Sequence, residues 1–207
     1  MQDMTAQYPA RLAIDYPDRD LDRVSTLLRI LYIIPIGIVA ALFTSTANDS
    51  SGNSAGLSVM GAVGLAAGLL ILFRQKYPRW WFDFLVEVTR FSNRVGVYAA
   101  LMTDQYPSTD EEQSVHIDID YPDVEQDLNR WLPLVKWLLA IPHYIVLFFL
   151  AIGAVFAVIG AWFAILFTGR YPRSLFDYVE GVARWGLRVQ AYAFLLVTDR
   201  YPPFSLR

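Results

Sequence analysis

Apolar positions along this chain are gathered into long runs separated by short, polar, proline-containing segments. Positions 27–43 are apolar except for Arg29. Positions 57–73 are apolar and rich in Gly and Ala, and positions 131–167 are almost continuously apolar. A hydrocarbon core about 30 Å thick needs roughly 20 helical residues. The pattern predicts four crossings, at 27–43, 57–73, 131–152 and 154–167, with Gly153 as the break in the longest run. After each pair of runs the period changes to that of a two-faced helix. Asp83, Glu87, Arg90 and Arg94 form one stripe at 100° per residue, with Trp81, Phe84, Leu85, Val88, Phe91 and Val95 largely away from it. Asp177, Arg184 and Arg188 repeat the stripe, with Glu180 one position off. These read as amphipathic helices at the membrane interface, a depth that suits Trp80, Trp81 and Trp185. The more apolar stretches 95–102 and 191–197 fit a continued helix, a re-entrant segment or a strand, and Gly96 and Gly186 permit a break. Ahead of the apolar runs, 11–15 and 115–120 alternate polar and apolar and end at Tyr-Pro. They predict short strands that pair with each other over the amphipathic helices.

The pattern occurs twice. IDYPD stands at 14–18 and at 119–123. KYPRWWFDFLVEVTRFSNRVGVYAALMTDQYP at 76–107 is echoed by RYPRSLFDYVEGVARWGLRVQAYAFLLVTDRYP at 170–202. The chain divides into repeats at 1–107 and 108–207, each with a strand, two crossings and an amphipathic helix. Pro35 and Pro142 occupy matching Ile-Pro pairs, read as packing kinks, with a gating hinge as the alternative. Arg29 and Lys136 lie near the cytoplasmic ends of their runs, where they can snorkel. Gly61, Gly64 and Gly68 form a small-residue face expected to meet another helix rather than lipid.

Charge sets the orientation. The loop 44–56 carries no Lys or Arg, whereas Arg11, Arg23, Arg74, Lys76, Arg130 and Arg170 flank the opposite ends. By the positive-inside rule both termini and both amphipathic helices are cytoplasmic, with the repeats related by an axis along the membrane normal. The chain is 55% hydrophobic and 18% charged, against about 25% charged in soluble domains. Its net charge of −3 argues against a nucleic-acid partner. With no Cys, disulfides, thiolate metal sites and thiol catalysis are excluded. The first 24 residues are polar and acidic, without the pattern of a cleaved signal.

Candidate chemistry is sparse. Asp15, Asp18, Asp20 and Asp22, with Asp118, Asp120, Asp123 and Asp127, cluster in the heads, but no glycine-centred calcium loop is present. They read as turn-forming, solvated carboxylates. His143 reads as an interface or packing residue. Nucleophile elbows, phosphate loops and HExxH are missing. No catalytic, cofactor or metal residue is expected. Arg90, Arg94, Arg184 and Arg188 are the candidate site, as an anionic lipid head-group site or as a solvated, mutually paired helix face.

The combination of IDYPD, LPLVKWLLAIPHYIVLFFL, LFTGRYPRSLFDYVEGVARW and TDRYPPFSL resembles a bacterial membrane family of unknown function, domain of unknown function 4389. The second half fits more closely. The first departs by its longer outer loop and by Trp80-Trp81 where the second has Ser174-Leu175. The resemblance implies an integral membrane protein of bacterial origin and brings no substrate, cofactor or site residue. The expectation is an all-α integral membrane protein with four transmembrane helices in two tandem repeats and short β-strands in a cytoplasmic cap. It would be a multi-pass, non-enzymatic protein of the bacterial inner membrane, an accessory, scaffold or lipid-interacting component. Its partners would be membrane lipids, other membrane proteins or further copies of itself. A small oligomeric transporter or channel is the alternative, and a lipid-directed membrane enzyme ranks third.

Overall fold

The computed structural model of the chain describes residues 8–17, 20–44, 59–108, 111 and 113–207. It is mostly helical with one small sheet. The elements are β1 (Ala10–Ile14), α1 (Arg23–Thr44), α2 (Val59–Arg74), α3 (Arg79–Ala99), β2 (Val115–Ile119), α4 (Val124–Asp127), α5 (Pro133–Leu139), α6 (Ile141–Thr168) and α7 (Arg173–Ala193). They stack in layers. The β1–β2 ribbon rests on the amphipathic α3 and α7, and the apolar α1 and α6 cover the other faces of those helices. α2 packs on α1 and α5.

The two heads pair with each other, as their alternation predicts. The ribbon is antiparallel, with Leu12 opposite Ile117 at its centre. Ala10, Leu12 and Ile14 of β1 and Val115, Ile117 and Ile119 of β2 are buried on one face. Each strand lies against the amphipathic helix of the other half, β1 on α7 and β2 on α3. The tyrosines of the two IDYPD motifs fix this exchange. Tyr16 Oη donates to the Tyr171 carbonyl at 2.5 Å, and Tyr121 Oη donates to the Tyr77 carbonyl. The Tyr16 ring meets Phe176 edge-on at 5.0 Å under the Arg173 guanidinium, and the Tyr121 ring meets Phe82 at 5.0 Å under Arg79. So the Tyr-Pro-Arg of each tail is the socket for the other half's head.

The four expected crossings are not found among the described residues. There, two helices are long and apolar enough to cross a membrane, α1 through Arg23–Ala41 and α6 through Ile141–Thr168. The apolar part of α2, Ala62–Arg74, is shorter than a span requires. The run 131–167 is a short helix, α5, followed by one continuous 28-residue helix. Gly153 does not break it. A side chain there would place Cβ 2.5 Å from Tyr178 Oη, so glycine serves the close approach of α7, and that hydroxyl donates to the Leu150 carbonyl at 3.0 Å. Pro142 does not kink α6 but stands in its first turn, where a missing N–H costs nothing, while Pro35 is inside α1. The outer loop at 45–56 lies outside the described residues. So do the surroundings of Gly61, whereas Gly64 faces the Phe194 carbonyl and Gly68 faces Leu196 and Pro133, all within the chain.

α3 and α7 run unbroken to Ala99 and Ala193, so neither Gly96 nor Gly186 interrupts them. Beyond each, a buried leucine takes a left-handed backbone: Leu101 at φ 63° and Leu196 at φ 57°. This conformation is uncommon outside glycine. The turns that follow aim a carbonyl and a carboxylate at the cations of the apolar layer. Arg29 donates to the Thr103 carbonyl at 2.9 Å and pairs with Asp104 at 2.7 Å. Lys136 donates to the Thr198 carbonyl at 2.8 Å and pairs with Asp199 at 2.7 Å. Arg29 is 3% exposed and Lys136 1%. These cations therefore do not snorkel to the surface but point inward. Their rings match as well, with Arg29 4.1 Å from the Tyr98 centroid and Lys136 5.3 Å from that of Tyr192.

Candidate anion site in the polar cap

α3 and α7 bring the four predicted arginines to one cavity of about 840 Å³ beneath the ribbon, which Arg90, Arg94, Arg184 and Arg188 all line. Arg11 and Arg207 join them, which makes six guanidinium groups, against the three carboxylates of Glu87, Glu111 and Asp118 among the lining residues. Sequence spacing makes the stripe on each helix legible. The meeting of the two stripes comes from the pairing of β1 with β2, which sets α7 and α3 on either side of the ribbon.

The arginines differ in what holds them. Arg90 and Arg184 cap the free edges of the two-stranded sheet. Arg184 Nε donates to the Leu12 carbonyl at 3.0 Å, and Arg90 Nε donates to the Ile117 carbonyl at 3.3 Å. Glu180 pairs with Arg184 at 2.5 Å and accepts from the Ile14 amide at 3.2 Å, so two side chains of α7 stand in for a neighbouring strand. Glu87 pairs with Arg90 at 2.5 Å. Unpaired edge groups template association, and this capping covers them.

Arg94 and Arg188, one turn further on, are less committed. Arg94 donates to the Ser108 carbonyl at 2.7 Å and Arg188 to the Ser205 carbonyl at 3.4 Å. The Nε of each is buried without a hydrogen-bond partner among the described residues. Burial, and then the neighbouring Arg184 charge, pushes the Arg188 guanidinium below the ordinary arginine value. A half-buried guanidinium with a spare donor beside a second guanidinium favours a multivalent, oxygen-rich anion, which Arg recognises in a bidentate fork.

The arginine stripe of α7 lies off the face that meets α6. On α7, Tyr178, Trp185 and Tyr192 face α6 and the residues before it, through the Tyr178–Leu150 hydrogen bond, the Trp185–His143 contact and the cluster around Ala140. Glu180 and Arg184 face β1. At 100° per residue the two sets are centred about 120° apart on α7, with Arg188 between them.

Residues 131–205 match the model of a family described as Domain of unknown function (DUF4389). The DUF4389 match covers α5, α6, α7 and the Thr198-Asp199 turn, and with them Arg184, Arg188 and the Lys136–Asp199 pair. No curated protein and no solved structure matches the chain.

Among the described residues most acids of the two heads are occupied within the cap, and Asp18 lies outside those residues. Asp118 and Asp120 pair with Arg11, Asp15 with His116, and Asp20 with Arg170. Asp22 accepts from the Val24 amide at 3.0 Å in the first turn of α1. His143 is fully buried, accepts from Trp185 Nε1 at 3.1 Å and stacks on Phe204 at 4.0 Å, the contacts of a packing residue.

Proposed function

We propose that this is a membrane-bound, non-enzymatic accessory protein built from two copies of one unit, whose cap holds a phosphate-bearing anion between Arg94 and Arg188. The observation that carries the reading is the two-sided build of α3 and α7. One face of each helix lines an arginine cavity, and the other is covered by helices whose outer surfaces are apolar. On α6 only His143, Ala157, Ala161 and Ile165 are buried, while Phe148, Phe149, Phe156 and Phe167 are exposed. On α1, Ile30, Leu31, Ile34 and Ile38 are exposed. Continuous apolar surface of this kind is rare on soluble monomers and marks a membrane or protein contact. The arginine-rich cap belongs, by the positive-inside bias, on the cytoplasmic face of a bacterial inner membrane. The duplicate contacts of Tyr16 and Tyr121, and of Arg29 and Lys136, support the two-copy reading.

The test is vesicle flotation of the detergent-purified chain after dilution with zwitterionic or anionic vesicles. Flotation with both is expected, since the apolar layer supplies the attachment. A lipid head-group site would instead make flotation depend on anionic lipid, and that dependence would vanish in Arg94→Gln/Arg188→Gln. A chain that stays in solution with either vesicle overturns the membrane reading.

A further inference from the structure

We propose that α6 lies in the plane of one leaflet, at the boundary between head groups and acyl chains, and does not cross the bilayer. The inference rests on the membrane attachment proposed above and concerns how that attachment is made. At 1.5 Å per residue, α6 is about 42 Å long, more than a 30 Å hydrocarbon core requires. Length alone therefore permits a crossing, but the contacts of the helix do not. α6 runs antiparallel along α7 over most of its length: His143 meets Trp185, Leu150 meets Tyr178, and Gly160 meets Leu175. The far face of α7 is covered from end to end by the polar cap, through Tyr16 on Phe176, Glu180 on Ile14, Arg184 on Leu12 and Tyr8 on the Arg188 carbonyl. A crossing α6 would carry these groups through the hydrocarbon with it.

Both ends of α6 also meet polar groups of the same cap. Before its start, Lys136 pairs with Asp199. After its end, Arg170 pairs with Asp20, two side chains 78% and 64% exposed. The Gly169 carbonyl accepts from the Leu21 amide at 2.8 Å, tying that end to the cap's connecting segment. An in-plane helix normally needs a polar face of its own. Here α7 and the ribbon supply it, so α6 can be apolar on every side. Trp131 and Trp137, both exposed beside the start of α6, suit the same depth. The outward phenylalanines then enter one leaflet, and the arginine cavity stays in water.

The Cys-free chain allows a direct test. Single cysteines replace Phe149, Phe156 and Phe163, all exposed on α6, and carry nitroxide labels in the full chain bound to phosphatidylcholine vesicles. Depth is read from the relative accessibility to oxygen and to a water-soluble nickel chelate. In the same vesicles Gln126→Cys and Ser174→Cys, exposed positions beyond the two ends, are treated with an impermeant maleimide. Equal, shallow depths at all three helix positions and labelling of both flanking cysteines from one side are expected. Labelling from opposite sides with a steady depth gradient would show a crossing, and Phe156 deepest with both ends on one side would show a hairpin. Either result overturns the inference while leaving membrane attachment intact. Failure to float in the same preparation overturns both. The three label sites are independent, so one poorly folded variant leaves the comparison of the others decisive.

Discussion

Arg29 and Asp104 meet at 2.7 Å, joining the first turns of α1 to the turn that follows α3. Their side chains are only 4% and 13% exposed. Removing one partner from such a pair strands the other charge. Asp104→Asn should therefore destabilise the chain by about 3–5 kcal/mol, and Arg29→Met/Asp104→Leu, which removes both charges, should recover most of that loss. Thermal unfolding of the purified chain in detergent measures both. If Asp104→Asn melts like the parent, the pair does not hold α1 to α3.

The exchanged heads predict a matched pair of effects. Tyr16→Phe and Tyr121→Phe each remove one hydroxyl bond to a backbone carbonyl and leave the ring packing. Each should cost about 0.5–1.5 kcal/mol, and the two losses should add, because the sockets are separate. An unfolding midpoint unmoved by both changes would mean that the heads are not seated on the opposite tails.

Gly153 can be examined through Tyr178. Gly153→Ala forces the tyrosine hydroxyl away from the Leu150 carbonyl and should destabilise α6 against α7. In a Tyr178→Phe background, where the nearest ring atom would lie at 3.4 Å, the same change should cost much less. Equal losses in the two backgrounds would show that the glycine serves something other than this close approach.

The cap was more legible in the sequence than the apolar layer. Two-residue alternation and the 100° stripe report local geometry directly, so the strands and both amphipathic helices follow from spacing. An apolar run does not reveal what its small residues are for. Gly153 reads equally as a turn or as a place of close approach, and the residue that decides it, Tyr178, lies in another helix. Arg29 and Lys136 at the edges of apolar runs suggest snorkelling until Asp104 and Asp199 are seen to reach them. The repeat marks out the units, but nothing in it says that each head seats on the other unit's tail. For the same reason each arginine stripe was visible alone, while the cavity between them depends on the Leu12–Ile117 pairing.

The anion site is tested most directly by calorimetric titration of inorganic pyrophosphate into the full chain, held in nanodiscs of zwitterionic lipid. Arg94→Gln/Arg188→Gln is compared with the parent after thermal unfolding shows that both are folded. Saturable binding by the parent, weakened about tenfold or more in the variant, is predicted, since each lost charge-assisted bond is worth about 1.5–3 kcal/mol. Binding of equal strength in the two proteins, or no binding by the parent, would contradict the assignment of the arginine cavity as an anion site.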